Sequence, residues 1–171
     1  MKTIITLVII GVIGAGSFVI GYGVNAAFFS DFTPEQPIEF SHKIHAGDNK
    51  IPCLYCHIYA EKSRVSGVPS VERCMGCHKV VKTDSPLIKE VTSYWNRKKP
   101  IPWVKVHNLP DHVYFSHKRH VKAGLQCQDC HGDVASMKRI TRVSSLTMGW
   151  CISCHTKREV KNGRDCWTCH K

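Results

Sequence analysis

Cys53-Leu54-Tyr55-Cys56-His57 is the first of five Cys-x-x-Cys-His stretches in this chain of 171 residues. The other four are Cys74–His78, Cys127–His131, Cys151–His155 and Cys166–His170. Together the five stretches contain all ten cysteines of the chain. This pattern is the attachment signal for c-type haem, because its two cysteines form thioethers to one porphyrin and its histidine is placed to ligate the iron. The sequence therefore predicts five covalently bound haem c groups.

Each motif assigns two kinds of residue to its haem. The predicted thioether cysteines are Cys53, Cys56, Cys74, Cys77, Cys127, Cys130, Cys151, Cys154, Cys166 and Cys169. The predicted proximal iron ligands are His57, His78, His131, His155 and His170. Five redox cofactors on so short a chain indicate an electron carrier, and no catalytic acid, base or nucleophile is predicted.

Paired cysteines also occur in zinc sites and in disulfide frameworks. Seventeen residues separate Cys56 from Cys74, a spacing that suits a zinc ribbon, and disulfides form in an oxidising compartment. Neither alternative needs the histidine that follows the second cysteine in all five motifs. Haem attachment accounts for that histidine and is the favoured interpretation.

The formal net charge of +11 would in general favour nucleic acid or anionic lipid as a partner. The basic residues are scattered along the chain, however, and do not form one patch. Each ferric haem carries two propionates and contributes a charge of about −1, so five haems offset much of the excess. No nucleic-acid partner is predicted.

The chain is short for five cofactors. Outside the apolar N-terminus roughly 28 residues remain for each haem, too few for an ordinary apolar core around each one. The haems are therefore expected to supply most of the core, with tryptophans such as Trp95 and Trp103 packed beside them. The predicted fold class is mostly α and irregular, a haem-cored multihaem cytochrome c with one N-terminal transmembrane helix.

The N-terminus is uncharged from Thr3 to Ser30 and strongly apolar from Ile4 to Val24. As a helix, that length spans a hydrocarbon core of about 30 Å. A signal peptide cleaved at Val24-Asn25-Ala26 is the alternative, but the apolar run is longer than a usual signal core. A retained single-pass anchor in contact with membrane lipid is favoured. Because haem c is attached outside the cytoplasmic membrane, the haem domain is predicted to lie on the periplasmic side of that membrane.

An internal repeat precedes two of the haem motifs. Residues 40–47 and 115–124 both begin Phe-Ser-His-Lys-x-His, and a shift of about 75 residues superimposes them. On a helix, residues three apart lie on one face, so the two histidines of each repeat can reach two neighbouring irons. The repeat indicates two related haem modules, with His42, His45, His117 and His120 as candidate distal ligands.

These features divide the chain into four predicted segments. Residues 1–30 form the transmembrane anchor, 31–82 a stem and two-haem module, 83–112 a linker, and 113–171 a three-haem module. In the linker, Ser85 and Pro86 are typical of a helix start, and the helix should end near Asn96. Residues 103–107 alternate like a short extended segment, and little sheet is expected elsewhere.

The repeat followed by Cys-x-x-Cys-His motifs resembles the class III cytochromes, the cytochrome c3 and c7 group. In that group the first histidine of the pair ligates the first haem and the second histidine ligates the next. Carried over to this chain, the resemblance implies that His117 opposes His131. It likewise implies that His120 opposes His155.

The same logic gives distal ligands to the remaining motifs. In the first module it pairs His42 with His57 and His45 with His78. The third haem of the c7 pattern takes a ligand just before the middle motif, where the family usually has histidine. This chain has Met148 there, so the resemblance implies that Met148 opposes His170. Ligation by His and Met raises the reduction potential relative to two histidines.

Two linker histidines, His107 and His112, are spare in this scheme. One of them would instead ligate a first-module iron, with His107 on the iron of His78 as the candidate. Otherwise they would hydrogen-bond haem propionates or orient a proximal histidine. The residues alone leave both roles open.

The order of features along the whole chain is similar to the membrane-anchored pentahaem subunit of alternative complex III. That order is an N-terminal helix, two haems, a linker, three haems, and Met-Gly-Trp-Cys at 148–151. The resemblance implies an electron-transfer subunit, not itself an enzyme, in a respiratory quinol:cytochrome c oxidoreductase that delivers electrons to a periplasmic cytochrome or an oxidase. It also implies partners: an iron–sulfur subunit related to molybdenum oxidoreductases, multi-helix quinone-binding subunits and a monohaem cytochrome.

Two other functions compete with this one. A stand-alone membrane quinol dehydrogenase would need a carboxylate or a vacant iron near the membrane, where Asp31, Glu35 and Glu39 lie. A multihaem reductase with an open iron site usually has one altered motif, whereas all five motifs here keep the histidine. The electron-transfer subunit is therefore favoured.

Overall fold

The computed structural model of the chain describes residues 2–29 and 32–170, so the predicted boundary at 30–31 and the side chain of Asp31 lie outside the described residues. The chain divides into two units, Met1–Asp31 and Phe32–Lys171. The first holds one long helix, and the second holds all five haem motifs.

The first unit is the helix α1, Lys2–Phe29. Its 28 residues extend for about 42 Å at 1.5 Å per residue. Within it, Ile4–Tyr22 is long and apolar enough to cross a membrane, and the described side chains of that span are exposed. A signal sequence meets the same criteria of length and composition. The apolar helix is thus confirmed, while its retention as an anchor stays a prediction.

The second unit consists of short helices joined by irregular chain. The α-helices are α2 Cys53–Cys56, α3 Val71–His78, α4 Pro86–Asn96, α5 His117–Lys122, α6 Gln128–His131, α7 Met148–Lys157 and α8 Cys166–Cys169. A π-helical turn covers Lys43–Asp48 and a 3-10 turn covers Val134–Ser136. Between residues 32 and 170, β-pairing is limited to two isolated antiparallel bridges, Phe32 with Arg142 and Val113 with His170. The prediction of a mostly helical and irregular fold is confirmed.

The linker helix α4 has the bounds that the sequence predicts, with Ser85 before it and Pro86 as its first residue. Pro86 is suited to this place because the first turn of a helix leaves its N–H groups unpaired. Residues 103–107, predicted to be extended, form no strand in the structure. Instead the side-chain amide of Gln36 donates to the Val104 carbonyl and accepts from the Val104 N–H, as a neighbouring strand would.

The protein core is small. Among the described residues, the buried apolar side chains are Ile38, Ala60, Val71, Met75, Val91, Ile101 and Val106. Five of these form one cluster beside α3 and α4, with Cys74, Tyr94 and Trp103 packed against it. A chain of this length ordinarily buries far more apolar surface. This small core is what a haem-cored protein requires.

Backbone hydrogen bonds join the two predicted modules. The first residues of α5, in the second module, donate their N–H groups to first-module carbonyls: His117 to Arg64 and Lys118 to Ser63, both at 3.0 Å. In the opposite direction, the Lys43 N–H in the π-helical turn donates to the Met137 carbonyl at 2.8 Å. Each repeat is therefore anchored on the other module.

Candidate haem-binding sites

Each Cys-x-x-Cys-His motif lies on a short helix or a helical turn. The N–H of His57 donates to the Cys53 carbonyl at 2.9 Å, and that of His170 donates to the Cys166 carbonyl at 2.8 Å. One helical turn places residues three and four apart on the same face, so both thiols and the imidazole of a motif lie side by side. All ten thiols are free and half-buried or exposed, as thioether formation requires.

The proximal histidines share one kind of support. The Nδ1 atoms of His57, His78, His155 and His170 each lie within hydrogen-bond distance of a backbone carbonyl, on Gly67 at 3.0 Å, Val81 at 3.0 Å, Gly163 at 2.6 Å and His112 at 3.2 Å, respectively. With its proton on Nδ1, each ring keeps the lone pair of Nε2 for a metal. The tautomer and the ring orientation both fit haem iron.

Two of these carbonyls belong to glycines. Gly67 has φ +71°, a conformation that favours glycine and that points its carbonyl at His57. A Cβ on Gly163 would lie 2.8 Å from the Cβ of Val160 and 3.0 Å from Nδ1 of His155. The close approach at Gly163 therefore requires glycine.

Three distal histidines face proximal ones at the separation expected across an iron. Two metal–nitrogen bonds of about 2.0 Å place the centres of two trans imidazoles about 6.2 Å apart. The observed centroid separations are 6.1 Å for His45 and His78, 6.3 Å for His117 and His131, and 6.1 Å for His120 and His155. The structure brings these predicted pairs together, while iron ligation itself remains a prediction.

The fourth predicted pair, His42 and His57, is also brought together. Burial, together with the nearby imidazoles of His57 and His45, lowers the pKa of His42 to about 4. Nδ1 of His42 is a buried nitrogen that has no partner among the described residues. An imidazole that binds iron through Nε2 and meets a haem propionate at Nδ1 would satisfy both nitrogens, so this site also fits haem.

In each repeat, one phenylalanine ring packs against both histidine rings. The ring of Phe40 lies 4.9 Å from His42 and 4.3 Å from His45, and the ring of Phe115 lies 4.9 Å from His117 and 4.3 Å from His120. The interplanar angles agree between the repeats to within about six degrees. The Phe-x-His-x-x-His pattern contained this residue, but its contact with both imidazoles could only be seen in the structure.

The two spare histidines lie beside proximal ligands. Nε2 of His107 is 3.3 Å from Nδ1 of His131, and the two ring centres are 4.4 Å apart. The ring of His112 is 5.5 Å from that of His170, closer than the spacing across an iron, while its own carbonyl holds His170. The structure therefore places His107 next to His131 and not next to His78, which His45 already faces.

Met148 is the first residue of α7, and its side chain is 67% exposed. The assignment of Met148 as the sixth ligand of the iron of His170 stays a prediction.

Thiols of different motifs lie close to one another in the structure. Burial raises the pKa of each thiol in question, and a thiol of the neighbouring motif adds to the rise: Cys56 for Cys74, Cys53 for Cys127, Cys154 for Cys130 and Cys169 for Cys151. The 53–56 site is therefore near both the 74–77 and the 127–130 sites, and the 151–154 site is near both the 127–130 and the 166–169 sites.

A zinc site is not supported by this geometry. Over residues 2–29 and 32–170, no group of three or more His, Cys, Asp or Glu side chains is arranged to hold a metal ion. Three histidine pairs instead face each other at the spacing of two ligands of one iron, and each pair contains the histidine of a motif with two free cysteines. This arrangement defines a multihaem c-type cytochrome.

Comparisons with known proteins agree with this class. Residues 113–171 match the family described as cytochrome c7 and related cytochrome c. The chain is also 31% identical to the multihaem cytochrome c subunit of menaquinone reductase from Nitratidesulfovibrio vulgaris, over 92% of this chain and 90% of that protein. The chain therefore belongs to the c7-like multihaem cytochromes c, and it binds several c-type haems.

Proposed function

We propose that this protein is the electron-relay subunit of a membrane complex that exchanges electrons with menaquinone. Haem supplies one-electron exchange, and the chain fixes the spacing, axial ligands and surroundings of its haems. The observation that carries the proposal is the set of opposed imidazole pairs, since an iron held by two protein ligands has no open position for a substrate. The subunit alone then performs no bond chemistry.

The five motifs would bind five haems in a continuous row. The order of neighbouring thiols supports a row that begins at the site of Cys74 and Cys77 and ends at the site of Cys166 and Cys169. The 127–130 site lies in the middle and joins the two predicted modules. Electrons would enter and leave the subunit at its two ends.

The apolar helix α1 supports a location at the membrane, with the haem region on the periplasmic side. The proposed partners are those of such a complex: an iron–sulfur subunit related to molybdenum oxidoreductases, multi-helix quinone-binding subunits and a monohaem cytochrome. The name of the relative supports a complex of several subunits, because that protein is one subunit of a menaquinone reductase.

The direction of electron flow separates two forms of the proposal. Likeness to the menaquinone reductase subunit favours electrons that move from a periplasmic donor to menaquinone. Likeness of the motif order to alternative complex III favours the reverse, in which menaquinol gives up two electrons and two protons and the electrons leave to a periplasmic cytochrome or an oxidase. We favour the first form, because the relative matches the chain along nearly its whole length.

The test is purification of the protein from its own membranes in a mild detergent. Larger membrane subunits should copurify with it. The complex should transfer electrons from a reduced periplasmic cytochrome to a menaquinone analogue, monitored by the haem absorption bands. Faster haem reduction by a menaquinol analogue, coupled to reduction of an added cytochrome, would instead establish the alternative complex III form.

The stand-alone quinol dehydrogenase is tested with the isolated full-length chain. We expect no quinol oxidation by this chain without its partners, and oxidation at the rate of the whole complex would contradict the proposal. Carbon monoxide should cause little spectral change if every iron has two protein ligands, the proposed distal ones being His42, His45, His117, His120 and Met148. A large change would favour an open iron site and hence a reductase.

A further inference from the structure

One proximal histidine differs from the other four in what holds it. Four proximal imidazoles meet a backbone carbonyl at Nδ1, whereas His131 meets the imidazole of His107 at 3.3 Å. Three distal candidates, His45, His117 and His120, also meet carbonyls through Nδ1. Beside these seven carbonyl-bound imidazoles, the pairing of His131 with another imidazole stands apart.

The direction of this hydrogen bond follows from iron ligation. When Nε2 of His131 binds iron, the proton of the neutral ring is on Nδ1, so His131 donates and Nε2 of His107 accepts. Burial lowers the pKa of His107, and the charge of Arg142 and the imidazole of His117 lower it further. As the acceptor of this proton, Nε2 of His107 carries a lone pair, so the His107 ring is neutral in this pairing.

The same geometry argues against His107 as an iron ligand. Its Nε2 lies 3.3 Å from Nδ1 of His131 and its ring centre 4.4 Å from that of His131, while the ring of His117 lies 6.3 Å away, at the separation expected across an iron. The planes of the two rings are at 79° to each other, so the two imidazoles are in an edge-on arrangement and are not stacked.

We propose that His107 is a positioning residue that orients His131 and lowers the reduction potential of the haem attached at Cys127 and Cys130. An imidazole nitrogen is a more basic acceptor than a peptide carbonyl, so it draws the Nδ1 proton of His131 more strongly. His131 then donates more electron density to the iron through Nε2, which stabilises the ferric state. This inference depends on haem attachment and holds whatever complex the subunit joins.

The test compares variants of the full-length, haem-loaded protein in detergent. His107→Leu removes the acceptor, and His107→Gln offers a carbonyl oxygen at a similar reach. Val104→Ala is the matched control, because Val104 lies in the same linker as His107 and is 43% exposed. Spectroelectrochemical titration gives the five potentials, and low-temperature EPR gives the spin state and g-values of each ferric haem.

We expect His107→Leu to raise the potential of one haem and to shift one low-spin EPR signal. His107→Gln should move the same haem by a smaller amount, and Val104→Ala should move none. A new high-spin signal in His107→Leu would show that His107 ligates an iron and would overturn the proposal. Unchanged potentials and g-values in both His107 variants would overturn it as well. If His107→Leu does not accumulate in the cell, the potential and g-values of His107→Gln test the proposal alone.

Discussion

Met148 is the candidate ligand whose role depends most on a single side chain. If it ligates the iron of His170, Met148→Leu will leave that iron five-coordinate, with a high-spin EPR signal and carbon monoxide binding to one haem. Met148→His will instead keep the iron low-spin and lower its potential, because imidazole replaces the thioether. Met137→Leu is the control, since Met137 is not a proposed ligand and its side chain lies beside Gly132, and it should change neither signal. A fully low-spin Met148→Leu protein would remove Met148 from the ligand set.

Gly163 allows a second prediction at the residue scale. Its added Cβ in Gly163→Ala would collide with Val160 and crowd Nδ1 of His155, displacing the carbonyl that this nitrogen meets. We expect a loss of about 1–3 kcal/mol in unfolding free energy, measured by thermal or chemical denaturation. Gly149→Ala is the control, because nothing lies within 4 Å of that Cβ and alanine suits the interior of α7 better. Equal stability of the two variants would show that the contact at Gly163 relaxes without cost.

At the scale of elements, α3 and α4 form the one apolar cluster seen in the described part of the chain. Val91 of α4 is only 6% exposed, packed among Ile38, Val71 and Ile101. Val91→Ala should cost about 1–3 kcal/mol, because it leaves a cavity in a core with few other contacts. Denaturant titration of the haem-loaded protein measures this loss.

Val80→Ala is the matched control for that experiment. Val80 is 82% exposed, so its truncation should change stability by no more than about 0.5 kcal/mol. If both variants lost the same amount, the cluster around α4 would contribute nothing specific to stability.

The elements also show what the sequence can predict. Helix α4 was predictable because Ser85, Pro86 and the apolar spacing are local signals, and the pairing of the repeat histidines followed from their spacing and a family resemblance. The segment 103–107 was not predictable, because its partner is the side chain of Gln36, 68 residues away. The contact between His107 and His131 likewise depends on the path of the linker, which no local pattern fixes.

For the molecule as a whole, the small core predicts that folding depends on haem. A chain produced without haem attachment should leave residues 32–170 without a cooperative thermal transition and open to rapid proteolysis, because its seven buried apolar side chains cannot offset the entropy of ordering that region. The haem-loaded chain should resist protease and melt cooperatively. Protease resistance of the haem-free chain would contradict this prediction. Helix α1 should remain helical in detergent in both forms, and circular dichroism can check this.

The crossed backbone hydrogen bonds between the two repeats have a consequence for how this protein can be divided. The π-helical turn that starts directly after His42 and contains His45 donates its first N–H to the Met137 carbonyl. Gly47 in the same turn approaches the Ala135 carbonyl so closely that a side chain there would not fit. Helix α5 in turn starts on the Ser63 and Arg64 carbonyls. Two fragments produced by dividing the gene in the linker would thus each lack the carbonyl groups that hold their own repeat in place. We expect neither fragment to fold as a smaller cytochrome.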